Sequence, residues 1–200
     1  MYNAVTTHHF MLADKIRMKA YQAAIRETVR PGDVVCDLGC GSGIMGFLAL
    51  QAGASKVYAI EAHKAVIKEA ECLARHNGWQ DRMVFINKLS PEVTLPETVD
   101  VLVSEILGGW GISEHVLKYT ADARQRFLKP GGRLLPSWLE LHIMPLEAPR
   151  YWKQQMAFWS KNFYGVDYSP VRKTISARVS TFNADRHTRI CEKYNMAISA

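Results

Sequence analysis

The first element that the hydrophobic pattern predicts is a helix near the start of the chain. Apolar residues recur there at intervals of three or four, at Met18, Tyr21, Ile25 and Val29. This spacing places side chains on one face of an α-helix. Pro31-Gly32 then ends the pattern. The spacing predicts one helix over Phe10–Val29.

From there on, short apolar runs alternate with helical stretches. The predicted strands are Val34–Leu38, Val57–Ile60, Met83–Ile86, Val99–Val103 and one opening at Arg133–Leu135. The predicted helices are Ile44–Gln51, Lys64–His76 and Glu114–Leu128, the last closed by Lys129-Pro130-Gly131-Gly132. Strands that are apolar almost throughout, alternating with helices, indicate a parallel sheet covered on both faces. We therefore predict a doubly wound, Rossmann-like α/β fold.

The pattern changes after Glu147. An aromatic group follows on a predicted helix, formed by Trp152, Phe158, Trp159, Phe163 and Tyr164, and the turn Gly165–Pro170 comes next. The remaining residues, 171–200, are weakly patterned. We predict a main domain over 1–147, with 1–30 as an N-terminal helical segment, and a C-terminal extension over 148–200.

Composition narrows the function classes. No stretch reaches the roughly 18 apolar residues of a membrane span, and no signal peptide is apparent, so we expect a soluble protein of the cytoplasm, or of the nucleus in a eukaryote. The cysteines Cys36, Cys40, Cys72 and Cys191 show no C-x-x-C spacing, and we predict no metal site. The net charge is +6, but the basic residues are scattered, which makes nucleic acid an unfavoured partner.

The first candidate for chemistry is a glycine-rich turn after the first strand. Gly39, Gly41 and Gly43 form a G-x-G-x-G pattern, and Ile44 stands where a dinucleotide fingerprint has its third glycine. Asp37, just before the turn, suits a cationic ammonium group better than a pyrophosphate. These features disfavour a nicotinamide dehydrogenase.

Glu61 strengthens the case for a nucleoside ligand. It ends the second predicted strand, 22 residues beyond Gly39. An acid at this position can accept hydrogen bonds from ribose hydroxyls. The alternative is a solvent-facing carboxylate at the end of a strand.

A further motif precedes the glycine-rich turn, and its sequence is His8-His9-Phe10-Met11-Leu12-Ala13-Asp14-Lys15-Ile16-Arg17. It matches every fixed position of the pattern H-x-x-M-L-x-D-x-x-R, and the chain therefore resembles the protein arginine N-methyltransferases. The resemblance implies a class I methyltransferase fold and S-adenosyl-L-methionine as cofactor, released as S-adenosyl-L-homocysteine. It also implies that Arg17 binds the cofactor carboxylate, that Met11 and Ala62 contact the cofactor, and that Tyr2 and Asp14 lie on the substrate side.

A second segment points to the acceptor. Glu105 and Glu114 are nine residues apart, as in the double-glutamate loop of the family that the chain resembles. Two carboxylates can hold a guanidinium, which stays charged and carries five donors. We therefore predict Glu105 and Glu114 as catalytic and substrate-binding residues, with Glu105 also near the cofactor. The alternative is that Glu105 merely ends a strand and Glu114 caps a helix.

The sequence departs from the family pattern in four places. Pro91 stands at the position of the family's adenine-contacting acid, and the candidate substitutes for that acid are Ser90 and Glu92. Gly109 replaces an aromatic residue, and a tyrosine expected before Tyr2 is missing. The family's β-barrel and dimerisation arm would follow this sequence, which is then a natural short form or a fragment.

The predicted partners follow from the resemblance. They are an arginine-containing protein or peptide, or a small guanidino compound, and a second copy of the chain. Two alternatives stay open: a methyltransferase for another acceptor, and a cofactor-binding subunit without catalysis.

Overall fold

A computed structural model of the chain describes residues 4–108, 114–140, 146–177 and 189–190. The chain divides into two compact units, Met1–Leu139 and Glu140–Ala200. The sequence placed this division at Glu147, and the extents of the two domains stay a prediction. Tyr2 and Gly109 lie outside the described residues. No helix in the described part of the chain is both long and apolar enough to span a bilayer.

The first unit is built on one parallel sheet. Its strands are β1 (Val34–Leu38), β2 (Lys56–Ile60), β3 (Met83–Ile86), β4 (Val99–Ser104) and β5 (Leu128–Leu135). They lie in the order β3-β2-β1-β4-β5, and each neighbouring pair is parallel. The order reverses between β1 and β4, which is where ligands bind in open α/β sheets. The predicted doubly wound fold is confirmed.

Helices and one short turn complete this unit. They are α1 (Ala4–Ala13), α2 (Lys15–Thr28), α3 (Ile44–Gln51), α4 (Lys64–His76), a 3-10 turn (Ser90–Glu92) and α5 (Val116–Phe127). Two groups of buried apolar residues hold the layers together, one containing Ile25, Phe47 and Val101, the other Tyr58, Leu102 and Phe127. Each group includes side chains of β1, β2 and β4, so the sheet is buried on both faces.

Two predictions for this unit need correction. The helix predicted over Phe10–Val29 is interrupted at Asp14, whose carboxylate accepts the backbone N–H groups of Ile16 and Arg17, both at 3.1 Å, and so begins a new helix. The segment Lys129–Gly132 does not close α5 but lies within β5. A register shift between Val99 and Val101 of β4 accommodates it.

The second unit contains shorter elements. They are β6 (Leu146–Glu147), α6 (Pro149–Phe158), β7 (Asn162–Phe163), β8 (Val166–Asp167), α7 (Val171–Ser176) and β9 (Arg189–Ile190). The helix predicted through Tyr164 is wrong beyond Phe158, because Tyr164-Gly165 forms the turn of a β7–β8 hairpin with positive φ at both residues. Phe158, Trp159, Phe163 and Tyr168 contact one another as an aromatic cluster.

Candidate active site

A cavity of about 630 Å³ opens at the carboxyl ends of the central strands. This size suits a nucleoside-sized ligand. The predicted residues that line it are Met11, Arg17, Gly39, Gly41, Glu61, Ala62, Ser90, Glu105 and Glu114. The predicted residues Asp14, Asp37, Gly43 and Glu92 do not line it. Parallel strands end at one edge of the sheet, and this brings residues distant in sequence into one cavity.

The glycine-rich turn forms the floor of the cavity. Gly39 and Cys40 donate their N–H groups to the carbonyl of Ile60, both at 2.9 Å, which ties the turn to the end of β2. Gly39 has a φ of +71°, and a Cβ atom there would lie 2.5 Å from Cγ2 of Ile106. Gly41 has a φ of +53°, and a Cβ atom there would lie 2.9 Å from Nε2 of His8. Both positions therefore favour glycine, because a side chain would be strained at positive φ and would contact a neighbouring side chain closely.

The carboxylate of Glu61 is fixed by backbone groups on two sides. Gly41 donates its N–H to Oε2 at 3.0 Å, and His63 donates its N–H to Oε1 at 2.8 Å. The side chain of Asn87 donates to the carbonyls of Glu61 and Ala62, at 2.9 and 3.0 Å. Since each carboxylate oxygen can accept a further hydrogen bond, Glu61 is held in place and can still receive hydroxyl groups.

Asp37 lies beneath the turn rather than in the cavity. Asp37 is 1% exposed, and its Oδ2 atom accepts a hydrogen bond from the N–H of Gly46 at 2.8 Å. Burial raises the pKa of Asp37 from 3.8 to about 7, the Gly46 bond opposes that rise, and the charge of Glu61 adds to it. The predicted contact of Asp37 with an ammonium group therefore has no support in this geometry, and its place is at the start of α3.

The buried acid gives a prediction for stability. Between the pKa of an unfolded Asp and about 7, the folded chain holds a proton on Asp37 that the unfolded chain has released. The free energy of unfolding should therefore decrease as the pH rises through this range, by a few kcal/mol at most for this group. Asp37→Asn keeps an acceptor for Gly46 and should flatten the profile, as measured by thermal unfolding between about pH 5 and about pH 8.

Asp81→Asn provides the control for this measurement, because Asp81 is exposed. It should leave the profile unchanged. A profile of Asp37→Asn that matches the wild-type slope would show that Asp37 is ionised throughout.

The two predicted acidic residues of the acceptor site flank the cavity. Glu105 directly follows β4, and Glu114 precedes α5, whose N-cap residue is His115. Because Glu114 lies outside the first turn of α5, the alternative that it caps this helix is not supported. Burial raises the pKa of Glu105, the positive charge of Arg17 opposes that rise, and the negative charge of Glu114 adds to it.

Arg17 contacts one of these two acids. Its Nη1 atom lies 3.4 Å from Oε1 of Glu105, and its Nε atom lies 3.5 Å from Oδ2 of Asp14. The side chain of Glu105 is 12% exposed, whereas that of Arg17 is 37% exposed. Tyr21 on α2 donates its hydroxyl to the carbonyl of Ser104 at 3.1 Å, which fixes the end of β4 just before Glu105.

The 3-10 turn contains both residues considered as substitutes for the missing adenine-contacting acid, and its geometry distinguishes between them. Ser90 lines the cavity, and its buried Oγ atom has no hydrogen-bond partner among the described residues. Glu92 is exposed and does not line the cavity. Of the two substitutes considered for Pro91, the geometry favours Ser90.

Sequence reasoning missed several residues that shape the site. His8 packs on the glycine turn, Asn87 holds the residues after β2, and Gly46 lets α3 approach the sheet, since a Cβ atom there would lie 3.0 Å from Val57. His63 and Lys88 also line the cavity. Asn87 binds main-chain carbonyls, which leave no pattern in a single sequence. Gly46 was visible in the sequence, seven residues after Gly39. No cluster of His, Cys, Asp or Glu suited to a metal occurs among the described residues.

The parallel sheet, the glycine turn, the strand-end acid and the nucleoside-sized cavity together fit the Rossmann-like fold of the class I methyltransferases. The family model described as ribosomal protein L11 methyltransferase (PrmA) matches residues 18–139. The chain belongs to this methyltransferase family. The match covers β1–β5 and includes most of the cavity.

Curated relatives and solved structures are named as arginine methyltransferases. The chain is 37% identical over 188 residues to protein arginine N-methyltransferase 6 of Danio rerio, covering 92% of this chain and 53% of the relative. It is 36% identical over 173 residues to protein arginine N-methyltransferase 2 of Dictyostelium discoideum, covering 85% of this chain and 33% of the relative. The chain thus spans about a third to half of these relatives, and the predicted resemblance is confirmed.

A solved structure agrees in fold. The Trypanosoma brucei PRMT1 enzyme-prozyme heterotetrameric complex with AdoHcy superposes with a TM-score of 0.74 at 28% identity. The superposition covers 84% of this chain and 53% of that chain.

Proposed function

We propose that the chain is an S-adenosyl-L-methionine-dependent methyltransferase that methylates a guanidino nitrogen of arginine. The observation that carries this proposal is the contact of Glu105 with the guanidinium of Arg17 at 3.4 Å inside the cavity. The chain itself thus places a guanidinium on the carboxylate that is predicted to hold the acceptor. The naming of the relatives as arginine methyltransferases supports the same acceptor.

The residues of the cavity fit this cofactor. Gly39 and Gly41 leave space where a side chain would stand, and Glu61 offers two held carboxylate oxygens for ribose hydroxyls. Arg17 is a cation for the cofactor carboxylate, and a guanidinium can hold a carboxylate in a bidentate pair. Ser90 lines the cavity, its buried hydroxyl has no hydrogen-bond partner among the described residues, and the family resemblance implies an adenine contact in this segment.

In the proposed mechanism, the chain aligns two reactants. The bound cofactor supplies a methyl group already activated by its sulfonium. Glu105 and Glu114 hold the guanidinium so that one nitrogen faces the methyl carbon, and alignment together with electrostatics provides the catalysis. S-adenosyl-L-methionine would supply the methyl carbon for the new C–N bond, with its sulfur as the leaving group, and the nitrogen would lose one proton to water. Arg17 would hold the carboxylate of the bound cofactor, which would leave Glu105 available for the acceptor.

Partners and location are proposals of the same kind. An arginine-containing protein or peptide is the favoured acceptor, and the heterotetrameric complex of the similar structure makes association with a second chain worth testing. A homodimer and a location in the cytoplasm or nucleus stay predictions. The matching family model is described as a ribosomal protein L11 methyltransferase. Ribosomal protein L11 should therefore be one of the acceptors tested for methyl transfer.

The first test is calorimetric titration with S-adenosyl-L-methionine, S-adenosyl-L-homocysteine and NAD. The chain should bind both sulfur nucleotides and not NAD, and Glu61→Ala should weaken them at least about tenfold, the effect of about 1.4 kcal/mol. Glu69→Ala, an exposed acid on α4, is the matched control and should bind as wild type does.

The second test measures transfer of labelled methyl groups. Arginine peptides should accept methyl, while lysine peptides and ribosomal protein L11 should not. Binding without transfer to any acceptor would support the non-catalytic alternative, and transfer to a different acceptor would contradict the guanidino assignment.

A further inference from the structure

Tyr21 is a half-buried residue of α2 that does not line the cavity. It packs against the buried apolar group that contains Val101. Its hydroxyl reaches the last residue of β4 and donates to the carbonyl of Ser104 at 3.1 Å. Tyr21 thus joins helix α2 to the end of the strand that Glu105 directly follows.

The end of β4 extends past its neighbour β5. The register of these two strands ends at the pair of Val103 and Leu135, one residue before Ser104. On the other side, Ser104 is in register with Leu38 of β1. The Oγ atom of Ser104 is buried and has no hydrogen-bond partner in the part of the chain that the structure describes. The hydroxyl of Tyr21 therefore anchors β4 at the point where its pairing with β5 has ended.

The same helix carries Arg17 one turn before Tyr21. Residues four apart lie on the same side of a helix. The Nη1 atom of Arg17 lies 3.4 Å from Oε1 of Glu105. Asp14, at the start of α2, accepts the backbone N–H of Arg17 and contacts its Nε atom. One helix therefore holds both the cation proposed for the cofactor carboxylate and the strand end that carries the acid proposed for the acceptor.

The hydroxyl of Tyr21 is a donor and not a base. Burial raises the pKa of Tyr21 above its usual range, and the negative charge of Glu105 adds to that rise. The positive charge of Arg17 opposes it, and the charge of Asp37 adds a smaller contribution. A protonated phenol can donate to a carbonyl oxygen, which accepts hydrogen bonds only. Tyr21 therefore keeps its hydrogen bond to the main chain beside a charged carboxylate.

We propose that Tyr21 is a positioning residue of the acceptor site, whose hydroxyl holds Ser104 so that Glu105 stays in a fixed place relative to Arg17. This inference rests on the proposed function. Methyl transfer depends on alignment, and a displacement of about 1 Å at the reacting groups can cost about 100-fold in rate. Without the hydroxyl, the end of β4 is less firmly held, and the acceptor nitrogen is aligned less well with the methyl carbon.

The experiment measures the transfer of labelled methyl groups to an arginine peptide by Tyr21→Phe, which removes only the hydroxyl. The turnover number kcat should fall about tenfold, the effect of roughly one hydrogen bond. The KM for the peptide and the affinity for S-adenosyl-L-homocysteine should stay within about twofold of the wild-type values, because the loss is one of alignment and not of ground-state binding.

Tyr58→Phe is the matched control. The hydroxyl of Tyr58 donates to Glu97 at 2.8 Å, and neither of these residues lines the cavity. The control loses a hydroxyl and a hydrogen bond as Tyr21→Phe does, so the melting temperatures of both variants should fall. Only Tyr21→Phe should lose turnover.

A double-mutant cycle separates positioning from a general loss of structure. If Tyr21 acts through Glu105, Tyr21→Phe should cost less than about twofold in kcat in a Glu105→Gln chain, because the charge that it places is already removed. An equal loss in both backgrounds, or wild-type kcat for Tyr21→Phe, would overturn this inference alone. A loss of cofactor affinity as large as the loss of kcat would overturn it as well. A wild-type chain that transfers no methyl to any arginine peptide would overturn the proposed function, and the inference with it.

Discussion

Glu105→Gln should reduce methyl transfer to an arginine acceptor by at least about 100-fold, the scale seen when one preorganised electrostatic contact is removed. The substitution keeps the shape of the side chain and removes only its charge. Because Glu105 is 12% exposed, its charge is poorly screened and its pairing with a guanidinium is strong. The measurement is the initial rate of labelled methyl transfer at saturating cofactor.

Cofactor affinity separates this effect from a general disturbance of the site. Arg17 keeps its contact with Asp14 in the variant, so S-adenosyl-L-homocysteine should bind within a few-fold of its wild-type affinity. Glu69→Gln is the matched control, because Glu69 is an exposed acid of α4 outside the cavity. Normal transfer by Glu105→Gln would rule out the guanidinium-holding role.

The pH dependence of transfer should follow from the same residue. Burial raises the pKa of Glu105, so this carboxyl takes up a proton at a higher pH than an exposed glutamate does. The ionised form binds the guanidinium, and transfer by the wild-type chain should therefore decrease as the pH is lowered.

The sequence predicted the sheet well because its strands are buried on both faces. Val34–Leu38 and Met83–Ile86 have the predicted bounds, since continuous apolar runs have few alternatives in a parallel sheet. The break at Asp14 was not predicted because the apolar residues that indicated the helix, from Met18 to Val29, all follow Asp14. Lys129–Gly132 contains proline and glycine, which favour a turn, yet β5 lies at the edge of the five-stranded sheet, where such residues are tolerated.

The candidate site was predictable to the extent that it depends on strand ends. Glu61 and Glu105 each follow a parallel strand, and the fold brings them to one cavity. Asp37 could not be placed in the same way, because a sequence does not show whether a strand-end side chain points into a cavity or beneath a turn. Arg126 and Asn87 bind main-chain carbonyls 25 to 36 residues away, and contacts to main-chain atoms leave no pattern in a single sequence.

Gly39→Ala should damage both stability and cofactor binding, and Gly78→Ala separates the two causes. The two glycines have almost the same φ, +71° and +73°, so alanine is strained equally at both positions. At Gly78 no atom lies within 4 Å of the added Cβ, whereas at Gly39 Cγ2 of Ile106 lies 2.5 Å away. Gly78→Ala should therefore lower the free energy of unfolding by about 1 kcal/mol, from backbone strain alone.

Gly39→Ala adds overpacking to that strain, and its total loss should be about 2–4 kcal/mol. Ile106 follows Glu105 and lines the cavity, so its displacement also disturbs the ligand site. The affinity for S-adenosyl-L-homocysteine should fall at least about tenfold in Gly39→Ala and remain unchanged in Gly78→Ala. Chemical denaturation and calorimetry on the two variants measure both effects. Equal losses of stability and equal affinities would show that Ile106 moves aside freely and that the turn does not need glycine for close approach.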